Sequence, residues 1–101
     1  MKQYEHPSLD GVALPEVMQA LSDPCRLGIV RRLLEREGRE LACNEFGMDV
    51  AKATRSHHFE VLRGAGLIQS RMEGTKCMTS LRRPELERKF PGLIELILSA
   101  E

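Results

Sequence analysis

The sequence predicts a mostly α-helical domain with one small β-hairpin. Three observations predict it. Apolar residues recur at helical spacing in several separate stretches. Proline and glycine stand where those stretches begin and end. Finally, Glu73-Gly74-Thr75 joins two short runs that read as strands. At 101 residues there is room for one domain.

The elements follow in order. Pro15-Glu16 opens a short helix carrying Val17, Met18 and Leu21, which ends at Ser22. Asp23-Pro24 opens the next: the Asp side chain caps free backbone N–H groups, and proline at the first helical position needs no donor. Leu27, Ile29, Val30, Leu33 and Leu34 form its apolar side, and Gly38 is the expected stop. Leu41 to Gly47 is read as a short helix, and Ala51 to Arg63 as a longer one ended by Gly64-Ala65-Gly66. Leu67 to Met72 and Lys76 to Leu81 form the hairpin, with Gly74 free to take a positive φ in the turn. Pro84 starts a charged helical turn through Lys89, and Phe90-Pro91-Gly92 breaks it. Leu93 to Ala100 is an apolar helix, expected to need more than its own domain as a neighbour.

Composition narrows the function. The chain is 42% hydrophobic and 30% charged, a globular balance. No apolar run approaches the roughly 18 to 20 residues of a membrane span. Met1 to Asp10 contains no apolar stretch of a secretory signal, so a cytoplasmic chain without a membrane partner is expected. Three cysteines at wide spacing are not a disulfide framework. The formal net charge of zero conceals an asymmetry: residues 1–51 carry −3, residues 52–89 carry +5, and the last twelve carry −2.

The basic segment contains the most informative helix. On a helical wheel Ala51, Arg55, His58, Phe59 and Leu62 fall near the inward stripe. Lys52, Ala53, Ser56, His57, Glu60 and Arg63 share the other side. Small residues let a helix sink into a major groove, and Lys, Ser and His offer donors to bases and phosphates. A short helix, a turn and then this one make the helix-turn-helix order. Arg71 and Lys76 flank the hairpin turn, with Arg82-Arg83 at its base, where a wing would reach phosphate or minor groove. Glu73 at the tip opposes this.

Three segments carry a resemblance. Ala20-Leu21-Ser22-Asp23-Pro24-Cys25-Arg26-Leu27, then Ser56-His57-His58-Phe59-Glu60-Val61-Leu62-Arg63-Gly64-Ala65-Gly66-Leu67-Ile68, then Glu73-Gly74-Thr75 resemble the ArsR/SmtB family of bacterial winged-helix repressors. The likeness spans roughly residues 12–100. It implies one winged helix-turn-helix DNA-binding domain over 1–101: an N-terminal arm (1–11), the helix-turn-helix (41–64), the wing (67–82) and a C-terminal dimerisation helix (84–100). It also implies a homodimer joined through its first and last helices, binding an imperfectly palindromic double-stranded operator and repressing transcription. By position, Lys52, Ala53, Ser56 and His57 match groove-facing residues, with Thr54 among them and Arg55 and Arg63 at the edges; Arg71 and Lys76 belong to the wing. Val17, Leu93, Ile94, Ile97 and Leu98 are the dimer residues so implied. Two departures stand out: Glu60 occupies a usual Lys position, and Ala51 an N-cap position usually held by Ser.

The resemblance also raises the question of a sensor. Glu40-Leu41-Ala42-Cys43-Asn44-Glu45-Phe46 resembles a degenerate arsenite-sensing segment with a single thiol, and one thiolate cannot supply the two or three soft ligands a metalloid needs. The zinc-type site on the terminal helix uses His and Asp, and Leu93 to Ala100 has neither. No metal and no cofactor are therefore expected, and the inducer is unassigned. Cys25 near a helix N-terminus beside Arg26, and Cys43, are the candidate sensor thiols, each with packing as the alternative role; Cys77 reads as a strand residue. His58 reads as a hydrogen-bonded histidine between packed helices.

No catalytic residues are expected. There is no phosphate-cradling glycine loop, no His-Glu-x-x-His and no Cys-x-x-Cys, and His57, His58 and Glu60 point in different directions around a helix. Four dispersed aromatic residues make no stacking platform for single strands. The alternatives to a plain repressor are a thiol-based redox- or metal-responsive derepressor using Cys25 and Cys43, or a dimeric protein-interaction module without an operator.

Overall fold

The computed structural model describes residues 4–36, 39–42, 46 and 50–100. A 3-10 turn, Leu9–Gly11, precedes α1 (Leu14–Leu21) and α2 (Pro24–Glu35); β1 (Leu41–Ala42) leads to α3 (Lys52–Gly64), β2 (Ile68–Glu73), β3 (Lys76–Leu81), α4 (Arg83–Lys89) and α5 (Leu93–Ser99). Together these form the winged helix-turn-helix arrangement. Among the described residues no helix is long and apolar enough to cross a membrane.

The expected boundaries hold where a cap or breaker sets them. Asp23 Oδ1 accepts from the N–H groups of Cys25 at 2.8 Å and Arg26 at 3.2 Å, starting α2. The helix ends at Glu35, before Gly38, which lies outside the described residues. At the other end of α3, Gly66 is favoured by its backbone, and a side chain there would also press on Leu9. Its φ is +77°, and an added Cβ would stand 2.4 Å from Leu9 Cδ2.

The hairpin has a partner that the sequence reading did not expect. Leu41 and Ala42 are not helical; they pair antiparallel with Thr79 and Met78, so β3 is the central strand of a three-stranded sheet, β1-β3-β2. Both residues are buried, and a two-residue apolar step shows no periodicity to distinguish strand from helix. The remainder of the expected Leu41–Gly47 helix, apart from Phe46, and Cys43 with it, lies outside the described residues. Phe46 packs edge-on against Phe59 of α3, with ring centroids 5.2 Å apart.

One core runs through the protein. Val17, Ile29, Leu33, Leu62, Leu67 and Leu86 are almost completely shielded. This corrects the expected role of several apolar residues. Val17 (0% exposed), Leu93, Ile94 and Ile97 already face their own chain's core, so a second chain has little left of them to bury. Among the described residues, the large apolar side chains that remain exposed are Leu14 and Met18 on α1 and Leu96 and Leu98 on α5. A helix that looks apolar on all sides is thus divided: one face packs internally and the other is open.

Candidate nucleic-acid interface

α3 has the two faces its pattern predicts. His58, Phe59 and Leu62 are buried, and Lys52, Ala53, Thr54, Ser56, His57 and Glu60 are exposed. Arg55 and Arg63 are half-buried at the edges. The helix starts without a side-chain cap because Ala51 has none to give. Its first intrahelical bond runs from Arg55 N–H to Ala51 O, so the N–H groups of Lys52, Ala53 and Thr54 have no intrahelical acceptor.

The far end of α3 is held by groups that sequence reasoning missed. Arg63 stacks its guanidinium over Tyr4, 4.4 Å from the ring centroid, and donates weakly to Ser70 Oγ at 3.4 Å. Ser70 Oγ in turn meets Thr79 Oγ1 at 3.0 Å. The outer edge of β2 is closed by His6, whose Nε2 accepts the Ser70 N–H at 2.9 Å. That bond fixes an unprotonated Nε2, and burial, then the Arg82 and Arg63 charges, hold His6 below its ordinary pKa. A lone Tyr and His in an arm give no periodic signal, so only the folded chain reveals them. Tyr4, Lys52, Arg55, Ser56, Arg63 and Cys77 border a shallow cleft of about 250 Å³ between α3 and the wing.

The wing cations differ in availability. Gly74 (φ +62°) turns the chain and leaves Lys76 exposed, opposite Glu73. Arg71 is engaged by Glu40 in a two-point pair, Nε to Oε2 at 2.8 Å and Nη2 to Oε1 at 2.5 Å, with Glu73 Oε2 at 3.3 Å. The Arg71 hydrogen bonds hold the Glu40 carboxyl below its usual range. Both partners are accessible to solvent, so the pair is weakly held and the guanidinium can exchange partners at little cost. At the base of the hairpin the sequence expectation needs correction. Arg82 is buried, donating to Pro7 O at 2.8 Å and to Glu85 at 2.7 Å, and Arg83 pairs with Glu87. These two arginines brace the arm and α4.

Of the candidate thiols, Cys25 is exposed at the first turn of α2. Asp23 beside it is held below the ordinary carboxylate pKa, chiefly by the Arg26 N–H and further by the Cys25 N–H. His58, buried at 7% exposure, turns toward this turn and places Nδ1 3.2 Å from Arg26 Nη1.

No protein-family model matches the sequence. The chain is 38% identical over 84 residues to YceK, a helix-turn-helix-type transcriptional regulator of Bacillus subtilis, covering 81% of this chain and 83% of that protein. Its fold is similar to that of an ArsR family transcriptional regulator, with TM-score 0.67 and 23% identity over 81% of this chain and 89% of the other. It is also similar to the transcriptional repressor BigR from Xylella fastidiosa, with TM-score 0.61 and 23% identity over 76% and 85% of the two chains.

Proposed function

Because the chain belongs to the helix-turn-helix-type transcriptional regulators, a non-enzymatic family, and carries the ArsR-type winged fold, we propose that it is a homodimeric repressor that reads double-stranded operator DNA through α3. One observation carries the reading. The exposed face of α3 holds Lys52, Ala53, Thr54, Ser56 and His57, small or donor-bearing side chains with no large apolar residue among them. Its own apolar face is spent on Phe59 and Leu62.

Around that face the roles separate. Ser56 and His57 contact base edges, while Lys52 and the open first turn of α3 contact phosphate. Arg55 and Arg63 border the groove, and Arg71 and Lys76 reach the flanking backbone from the wing. Glu60, exposed on the same helix, repels phosphate and limits affinity. A second copy covers Leu14, Met18, Leu96 and Leu98, whose exposure supports dimerisation through the first and last helices. The pair works in the cytoplasm, on duplex sites about one helical turn apart.

The test is selection of bound fragments from genomic DNA, followed by affinity measurements across a salt series. The expected result is recovery of an imperfect palindrome, bound with an affinity that falls steeply with salt. Recovery of no shared sequence, with binding that is weak at every salt concentration, refutes the proposal.

A further inference from the structure

A second site lies on the opposite side of α3 from the DNA-reading face. We propose that Asp23, Cys25 and His58 bind a divalent cation of the zinc class, linking the start of α2 to the middle of α3. The proposal stands apart from the DNA reading. One ligand atom from each residue lies within 4.8 Å of the other two. The set mixes a carboxylate oxygen, a thiol sulfur and an imidazole nitrogen, drawn from two helices.

The donor chemistry selects the ion. Thiolate and imidazole favour Zn²⁺ and its borderline-soft relatives over Mg²⁺ or Ca²⁺, which prefer all-oxygen shells. Tetrahedral Zn²⁺, with bonds of about 2.0 to 2.3 Å, holds its ligands roughly 3.5 Å apart. The separation of up to 4.8 Å exceeds that by about 1 Å, which side-chain rotation of Cys25 and Asp23 closes. Three protein ligands leave a fourth position to water on the solvent side.

Two of the three ligands, Asp23 and His58, are already prepared. Asp23 uses Oδ1 for both capping bonds, so its second oxygen can ligate without uncapping α2. Arginine only donates, so the Arg26 contact requires His58 Nδ1 to carry its lone pair, the state a cation needs. A cation ligated at Nδ1 displaces that contact alone. Arg26 keeps its 2.7 Å bond from Nε to Ala20 O, and the repulsion between its guanidinium and the cation is countered by the two anionic ligands. Binding releases the Cys25 thiol proton to solvent.

The experiment titrates the reduced full chain with Co²⁺, reading thiolate-to-cobalt charge transfer and the visible bands of a four-coordinate ion. Zn²⁺ then competes. The expected result is saturation at one Co²⁺ per chain and full displacement by Zn²⁺. Cys25→Ser removes the charge-transfer band, while Cys43→Ser and Cys77→Ser keep it. Asp23→Asn, which preserves the cap, weakens Zn²⁺ about tenfold or more, as does His58→Gln. Zn²⁺ raises the melting temperature of the wild-type chain and not that of Cys25→Ser; because Cys25 is exposed, this variant separates ligand loss from misfolding. A band that survives Cys25→Ser, a band lost instead with Cys43→Ser, or no saturable band in the wild-type chain overturns the site.

Discussion

The two longest helices begin in opposite ways. α2 starts at Asp23-Pro24, where one carboxylate oxygen takes two backbone donors and proline removes another. α3 starts at Ala51, with no side-chain cap and three donors that find no acceptor inside the helix. The first helix satisfies its own N-terminus. Among the described residues no side chain caps the second, whose positive end lies next to Lys52, a place suited to an anion. On the proposed reading the difference divides labour: α2 fixes the frame, and α3 gives up local stability at the turn assigned to phosphate.

The largest test concerns whether two copies of that open end are presented together. Leu96→Asp combined with Leu98→Asp should yield a monomer in sedimentation, since an interface buries unpaired charge only at a cost of several kcal/mol. Both residues are exposed in one chain, at 58% and 57%, so the monomer should keep its fold. Operator binding should fall with the dimer. A dimer that persisted would move the contact away from α5.

Next in size are the side chains beyond the open turn. Ser56→Ala and His57→Ala should each weaken operator binding by about 1 to 3 kcal/mol. The melting temperature should not move, because both residues are exposed. Lys52→Ala should instead weaken all duplexes alike and reduce the salt slope by about one. Unchanged operator binding by both Ser56→Ala and His57→Ala would remove the recognition role from α3.

The closed end of the comparison is tested by stability. Asp23→Ala should cost about 1 kcal/mol in chemical denaturation, and Asp23→Asn should cost far less because the amide oxygen still caps. Equal losses for the two would show that the charge of Asp23, not its cap, holds the start of α2.

How much of this was legible follows from how local each cause is. Asp23-Pro24, Gly64-Ala65-Gly66 and Gly74 act on their own neighbours, and the elements they delimit fall within one or two residues of expectation. The inward and outward faces of α3 likewise follow from spacing alone, apart from Ala51, exposed just before the helix, and the half-buried edges. What stayed hidden depends on residues far apart in sequence. Glu40 meets Arg71 across 31 positions and His6 meets Ser70 across 64, and β1 exists only because β3 offers it an edge. Arg82 resembled a wing cation because charge suggests exposure; the carbonyl of Pro7, 75 positions away, is part of what draws it inside. Leu93, Ile94 and Ile97 of α5 read as interface for a similar reason, while Leu98 stays exposed. Periodicity shows that a face is apolar, not whether its own chain or a second one covers it.

A smaller effect comes from closing the open start. Ala51→Ser should raise stability by roughly 0.5 to 1 kcal/mol, by supplying the missing acceptor. If the first turn of α3 does hold phosphate, the new hydroxyl competes for the same donors and the stability gain should not appear as tighter operator binding. Tighter binding in step with stability would mean that the uncapped turn serves no purpose in recognition.

The smallest effect concerns the opposite end of α3, held by the arm through Tyr4, Arg63, Ser70 and His6. The Ser70 N–H needs the lone pair on His6 Nε2, so the folded chain favours the neutral ring, and the folded pKa lies below the ordinary value of 6.5. Above that value the ring is neutral both folded and unfolded, and the arm contributes in full. As pH falls through it, the unfolded chain takes up a proton that the folded chain resists, and stability declines until the folded ring is protonated too. His6→Gln removes this titration. Denaturation midpoints measured from pH 8 to pH 5 should therefore fall more steeply in the wild-type chain than in the variant, with the gap opening below about 6.5. Parallel curves would show that the arm is held by Tyr4 and Arg82 without help from the imidazole. The anchored end of α3 would then be as insensitive to pH as the capped start of α2, whose carboxylate titrates well below this range.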